Sequence, residues 1–195
     1  FIKKIHNFDE TKLIEVNENW QSTKKLTNDV LPEDLDIEAI KEDYSDGELV
    51  GFKYPVDIKI KYAKKQVTEK SFVKVFLQEP EQPEGLFKLM MRKWLILSDE
   101  KPLTSNMQSN AMVYIDDYYA SEFCAYAELP DHKSMSSQRP NLASRYANRL
   151  ETLALIRATA KAAYEAINET NAQKYEDFLA NIFGINIAAK IKSVN

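Results

Sequence analysis

The stretch RLETLALIRATAKAAYEAIN, residues 149–168, sets two guanidinium groups, Arg149 and Arg157, in a segment otherwise rich in Leu, Ile and Ala. Drawn as a helix at about 100° per residue, Leu142, Tyr146, Leu150, Leu153, Ile156, Ala160, Tyr164 and Ile167 share one apolar face. Arg149 and Arg157 fall within or beside that face, with Arg145 and Lys161 nearby. An arginine so placed snorkels, pairs with a carboxylate, or lines a cleft that accepts an anion. Guanidinium matches phosphate in geometry and keeps its charge at any relevant pH, so a row of such groups is suited to the floor of a polyanion groove.

A second basic element lies upstream. Residues 51–80 carry seven Lys against three acids, a net +4. VDIKIKYA and SFVKVFL alternate apolar and polar residues, which predicts two antiparallel strands with one face buried. Lys59, Lys61 and Lys74 are expected on the exposed face, with Lys64, Lys65 and Lys70 near the tip. Tyr62, Tyr118 and Tyr119 could stack on bases, or equally fill a core. Asp57-Ile58-Lys59, with Asp46 and Glu48 upstream, also fits the acid and D-x-K of restriction-enzyme-like nucleases. There, two carboxylates hold Mg²⁺ and the Lys supports the attacking water. An ordinary solvated strand face explains the same residues.

Other chemistry has little footing. His6 and His132 stand apart, and no His, Cys or acid cluster has zinc spacing. Cys124, the one cysteine, sits between Phe123 and Ala125 as a buried, inert thiol would. With four glycines in 195 residues there is neither GxGxxG nor GxxxxGK[ST]. No catalytic residue, metal site or cofactor is expected.

These groups need elements to position them. The composition, 44% hydrophobic and 29% charged, is that of a globular chain, and no apolar run is long enough to span a membrane. One cysteine and no signal-peptide pattern suit the cytoplasm. Residues 1–50 carry six Lys and thirteen acids, a net −7, and form the first of three segments. Within it, LPEDLDIEAIKEDYSDG predicts a short acidic helix stopped by Asp46-Gly47, and ETKLIEVNENW another. The core, residues 51–168, is expected to hold the first hairpin and then KLMMRKWLIL, which suits a strand or a helix. A second hairpin follows, AMVYI and YASEFCAYA about Asp116-Asp117, and then a helix over 141–168 covered on two sides. Residues 169–195 predict a further helix ending at Gly184, with FLANIFGINIAAKIK as a docking or subunit-contact surface. The expected fold is thus α+β: an antiparallel sheet of two hairpins packed on a long central helix, with helical ends.

The combination AMVYIDDYYASEFCAYAE, a loop, then ASRYANRLETLALIRATAKAAYEAIN resembles the core of the single-strand annealing proteins, recombination mediators of phages and eukaryotes. Their helix motif is close to A-E-T-R-A-x-x-R-A-L-R, and Glu151, Thr152, Ala154, Arg157 and Ala158 match its spacing over a resemblance spanning about 107–168. The resemblance implies single-stranded DNA binding and strand annealing, without a catalytic centre, by a homo-oligomer, a ring or filament, carrying a continuous basic groove. It puts Arg157 along that groove, and Lys161, Arg149, Arg145, Lys59, Lys61 and Lys74 are the companions expected to line it. A metal-dependent nuclease, or a non-enzymatic phage-type interaction or inhibitor protein, would be the alternative.

Overall fold

The computed structural model describes residues 1–27, 30–82 and 84–183, with side chains in the last stretch described through residue 168. Strands β1 (Ile14–Glu15), β2 (Val50–Tyr62), β3 (Lys65–Gln78), β4 (Lys88–Arg92), β5 (Leu95–Ile96) and β6 (Asn110–Ile115) form one sheet in the order β1-β2-β3-β6-β4-β5. The sheet is mixed: β1 runs parallel to β2 and β4 parallel to β6, while the other neighbours are antiparallel. The helices are α1 (Ile2–His6), α2 (Trp20–Thr23), α3 (Ile37–Ser45), α4 (Tyr118–Ala127), α5 (Pro140–Arg145) and α6 (Arg149–Phe183).

This overturns the expected antiparallel sheet of two hairpins on a long central helix. The first hairpin, β2–β3, pairs without interruption from Val50 opposite Leu77 to Tyr62 opposite Lys65. The second does not exist, because YASEFCAYA is helix α4. Asp117 accepts hydrogen bonds from the Tyr119 amide and the Ser71 hydroxyl, and Ser71 in turn accepts from the Ala120 amide. The buried residues Ala120, Phe123, Cys124 and Ala127 then fall at helical spacing. KLMMRKWLIL supplies β4, a tight turn at Lys93-Trp94, and β5. ETKLIEVNENW is not a helix either; it gives a 3₁₀ turn over Glu10–Lys12, β1, and the start of α2. The acidic helix does form, as α3, capped by Asp36 and ended at Gly47, whose φ of 77° suits a residue without a side chain.

No single helix spans 141–168. The chain leaves helical geometry at Tyr146 (φ −117°, ψ 128°), so α5 and α6 are separate and a wheel drawn across both loses its phase. On α6 the buried residues are Thr152, Leu153, Leu155, Ile156, Thr159, Ala160, Ala162, Ala163 and Ile167. Leu150, Ala154, Arg157 and Lys161 lie on the opposite, exposed stripe, so the helix is covered on one side and Arg157 never enters the apolar face. The helix continues to Phe183; the stop expected at Gly184 and the residues beyond lie outside the described residues.

One sheet face carries the main core. Phe52, Tyr54, Val56, Ile58 and Ile60 of β2, with Val73, Val75 and Leu77 of β3, pack under α4, α5 and α6 together with Trp20, Phe123 and Tyr146. On the other face Phe76 and Met112 form a smaller cluster with Leu13, covered by Phe1, Ile5 and Phe8. Gly51 permits that cover: a Cβ there would stand 2.8 Å from Leu13 Cδ2 and 3.0 Å from Phe8 Cζ.

The ribbon outruns its sheet. β1 pairs only with Phe52 and Lys53, so β2 from Pro55 onward has no strand on its outer edge. A proline, lacking an N–H, is at home there. Residues 146–148 close this edge instead. Ile60 bridges Tyr146, and the Ala147 amide donates to Lys59 O at 2.8 Å. The Asn148 side chain accepts from the Lys59 amide at 2.9 Å and donates to Asp57 O at 2.8 Å. At the far side of the sheet Arg92 joins β4 to the chain after α4, giving two hydrogen bonds to the buried Glu128 carboxylate, which also meets His132 Nδ1 at 3.0 Å. Burial pushes the Glu128 carboxyl up, but the Arg92 and His132 hydrogen bonds outweigh it and hold the group below its ordinary 4.5.

Two outcomes follow. Asn148→Ala deletes two hydrogen bonds and leaves strand groups of β2 unpaired, so chemical denaturation is expected to show a loss of about 2 kcal/mol. Asn148→Asp, which keeps the acceptor for Lys59 but sets a carboxylate oxygen against the Asp57 carbonyl, should lose no less. The Glu128 contribution is full above its ordinary pKa and vanishes as pH falls through the depressed folded value. Glu128→Gln should therefore lower the melting temperature at pH 7, with the gap to the parent protein closing under acid conditions.

Candidate nucleic-acid interface

Where the ribbon projects, its tip turns through Ala63 and Lys64, and Tyr62, Lys64 and Lys65 are exposed. On β2 and β3 successive side chains alternate faces, so Tyr62 and Lys65 point to the side on which α4 lies, and Lys61 to the other. α4 begins at the end of β6, where its cap is bonded to Ser71 of β3, and this delivers Tyr118 and Tyr119 beside the ribbon. The two rings meet edge to face with centroids 5.1 Å apart. The Tyr119 hydroxyl lies against the Glu69 carboxylate, which raises the phenol's pKa, and Tyr62 and Tyr118 are within electrostatic reach of it. Tyr62 is 50% exposed and Tyr118 65%, so the two rings present area to solvent that a folded chain normally covers. Of the three tyrosines named from the sequence, Tyr62 and Tyr118 are therefore surface residues, while Tyr119 is half-buried and packs against the core.

Lysines occupy both faces of the projecting ribbon, Lys65 on the tyrosine side, Lys59 and Lys61 on the other, and Lys64 in the turn. Lys61 donates to Ala143 O at 2.8 Å, a bond to a neutral acceptor that leaves its charge uncompensated. Among the described residues, neither it nor Lys59, Lys64 or Lys65 is ion-paired with an acid. Lys70, further down the same ribbon, is neutralised by Glu18 and Asp57.

The other expected groove residues are dispersed. Arg157 is locked to Glu100, with Nε 2.9 Å from Oε2 and Nη2 2.6 Å from Oε1, and it also donates to Met135 O at 2.8 Å. The Glu100 hydrogen bonds raise the pKa of this guanidinium despite its partial burial. Arg149 donates to Ser137 O at 3.0 Å. Arg145 binds Glu122 at 2.7 Å and stacks over Tyr126. Lys161 stands 3.5 Å from Glu165, one turn along α6. Lys74 is buried on the opposite face of the sheet from α6, between Glu10 at 2.7 Å and Asp116 at 2.9 Å. Burial opposes its charge, but the two carboxylates outweigh that and raise its pKa. Only Lys59 and Lys61 of the expected set share the ribbon's projecting half.

The D-x-K residues line a small polar cleft with Glu18, Gln21, Asn148 and Glu151. Asp46 and Glu48 lie at the opposite end of β2 from Asp57, so the acids expected to converge do not. Among the described residues no three His, Cys, Asp or Glu form a group that could hold a metal ion. Cys124 is fully buried, and burial drives its thiol pKa far up, which makes it a poor nucleophile. Among the described residues no helix is long and apolar enough to cross a membrane.

Sequence reasoning missed Asn148 and Glu100. Asn148 precedes the helical run, a position where Asn is common, which was the available signal. Glu100 gave none, because its partner is 57 positions away. Arg157→Ala is expected to cost about 2–3 kcal/mol in denaturant unfolding, since it strands a buried carboxylate, and Arg157→Lys to recover part of that. Comparison of the chain with protein-family models, with curated proteins and with solved structures finds no match in any of the three.

Proposed function

We propose that this chain binds single-stranded DNA at the projecting β2–β3 ribbon, without a catalytic centre. The observation that carries the reading is the exposed Tyr62 and Tyr118, with the half-buried Tyr119 between them and the core, beside Lys64 and Lys65 at the ribbon tip. Lys59 and Lys61 carry positive charge on the ribbon's other face, and none of the four lysines has an acid partner among the described residues. Aromatic faces beside unpaired lysines suit an extended polynucleotide: bases stack, phosphates meet ammonium groups, and no particular base is demanded. The overall charge of −4 does not oppose this, because phosphate contacts are local and act within about a Debye length.

Annealing by a homo-oligomer, ring or filament, is the finer part of the proposal, and it rests on the resemblance over 107–168 alone. Within it the ribbon takes the DNA-contacting role that the sequence suggested for Arg157. That arginine serves the fold through Glu100, so its place in the annealing motif is not what supports DNA contact here.

Fluorescence anisotropy with a labelled oligothymidylate across a salt series tests the reading. Tyr62→Ala should weaken binding about 10-fold, within the range for one stacked base. Lys64→Ser with Lys65→Ser should flatten the logarithmic salt dependence by about 1.4, two phosphates at roughly 0.7 each. Salt-independent binding, or binding that both variants leave unchanged, would refute it.

A further inference from the structure

Trp94 is 90% exposed, far more than any other large hydrophobic side chain among the described residues. It does not sit on a loose loop. Lys93 occupies the left-handed region (φ 52°), and its amide donates to Ile115 O at 3.0 Å, which fastens the β4–β5 turn to the end of β6. Arg92, just before it, points inward to Glu128, whereas Lys93 is exposed and has no ion-pair partner among the described residues. The turn therefore offers one indole and one uncompensated ammonium, held in a fixed frame.

Its location gives the pair a meaning. β4 is parallel to β6, with Arg92 opposite Ile115, and β6 leads through Asp116 and Asp117 to Tyr118. Trp94 and Tyr118 thus stand at the same end of the sheet, the end from which the β2–β3 ribbon projects. The ribbon tip lies about eight residues beyond Ser71 and roughly two strand spacings across, so the tip and Trp94 are on the order of 30 Å apart. Tyr62 stands at the tip itself, and the exposed Tyr118, which follows β6, lies between the tip and Trp94.

Building on the single-stranded DNA reading above, we infer that Lys93-Trp94 is a second contact for the same strand, a base stacking on the indole and a phosphate meeting Lys93, so that one strand runs from the ribbon tip across Tyr118 to this turn. The chemistry favours a nucleic acid over a lipid surface. Apart from Ile96 the turn carries no other exposed large apolar residue, so it offers little area for a bilayer, whereas stacking needs one ring face and a nearby cation.

The chain's other tryptophan, Trp20, is fully buried, so surface quenching reports on Trp94. The full chain would be titrated with oligothymidylates of about four and about twenty nucleotides, reading tryptophan emission together with anisotropy of the labelled oligonucleotide. The long oligonucleotide should quench emission in step with the rise in anisotropy. Trp94→Ala should weaken the long one about 10-fold and leave the short one, held at the ribbon tip, within about 2-fold. Trp94→Phe should restore most of the loss, and circular dichroism should match the parent, as the side chain packs against almost nothing. Long-oligonucleotide binding with unchanged emission and a silent Trp94→Ala would overturn this inference while leaving the ribbon as the binding site. Absence of any oligonucleotide binding would overturn both. Quenching by anionic phospholipid vesicles alone, or emission that changes only with protein concentration, would assign the turn to a membrane surface or to a second copy, and overturn it too.

Discussion

Closure of the outer edge of β2 by residues 146–148 is the constraint on which the rest of this structure depends. A two-stranded ribbon alone in water is marginal, and here it runs many residues past its sheet neighbours. Asn148 substitutes for a strand by giving and taking one hydrogen bond each with the β2 backbone, and Tyr146 seals the core beneath. The same three residues break α5 from α6, which resets the phase of α6 and decides which of its side chains meet the sheet. One local departure from helical geometry therefore both supports the projecting ribbon and moves Arg157 to the exposed stripe.

Charge is sorted accordingly. Arginines near the core are consumed internally: Arg157 by Glu100, Arg92 by Glu128, Arg145 by Glu122. Such pairs fix loops to helices more than they add net stability, since removing either partner leaves the other buried and unpaired. Lysines at the ribbon's far end form no ion pair among the described residues, although Glu69 lies on the same ribbon and Lys59 shares a cleft with Glu18, Asp57 and Glu151. An acidic chain thereby keeps a local positive surface without a strongly basic composition.

The β2–β3 hairpin was legible because apolar–polar alternation over VDIKIKYA and SFVKVFL suits a strand and no helix. α3 was legible from its cap and its stop. α4 was misread because YASEFCAYA satisfies periods of 2 and 3.6 nearly equally, and the deciding fact, an Asp117 cap bonded to Ser71, lies 46 positions away in the chain. The break at Tyr146 left no mark, since its residues are compatible with a helix and tertiary hydrogen bonding drew them out of one. The ribbon lysines were named from strand alternation and the tyrosines as available aromatics, but the approach of Tyr118 and Tyr119 to the ribbon could only come from the fold that brings α4 beside β3. Trp94 was invisible as a surface residue because KLMMRKWLIL suits a strand or a helix equally, and neither reading marks a turn at Lys93-Trp94.

Photo-cross-linking with an oligonucleotide containing 5-iododeoxyuridine, followed by peptide mapping, tests the central claim most directly, because it locates the strand without any substitution. The account predicts adducts on peptides containing Tyr62 and Tyr118. Adducts confined to α6 around Arg157, with the ribbon unmarked, would contradict it.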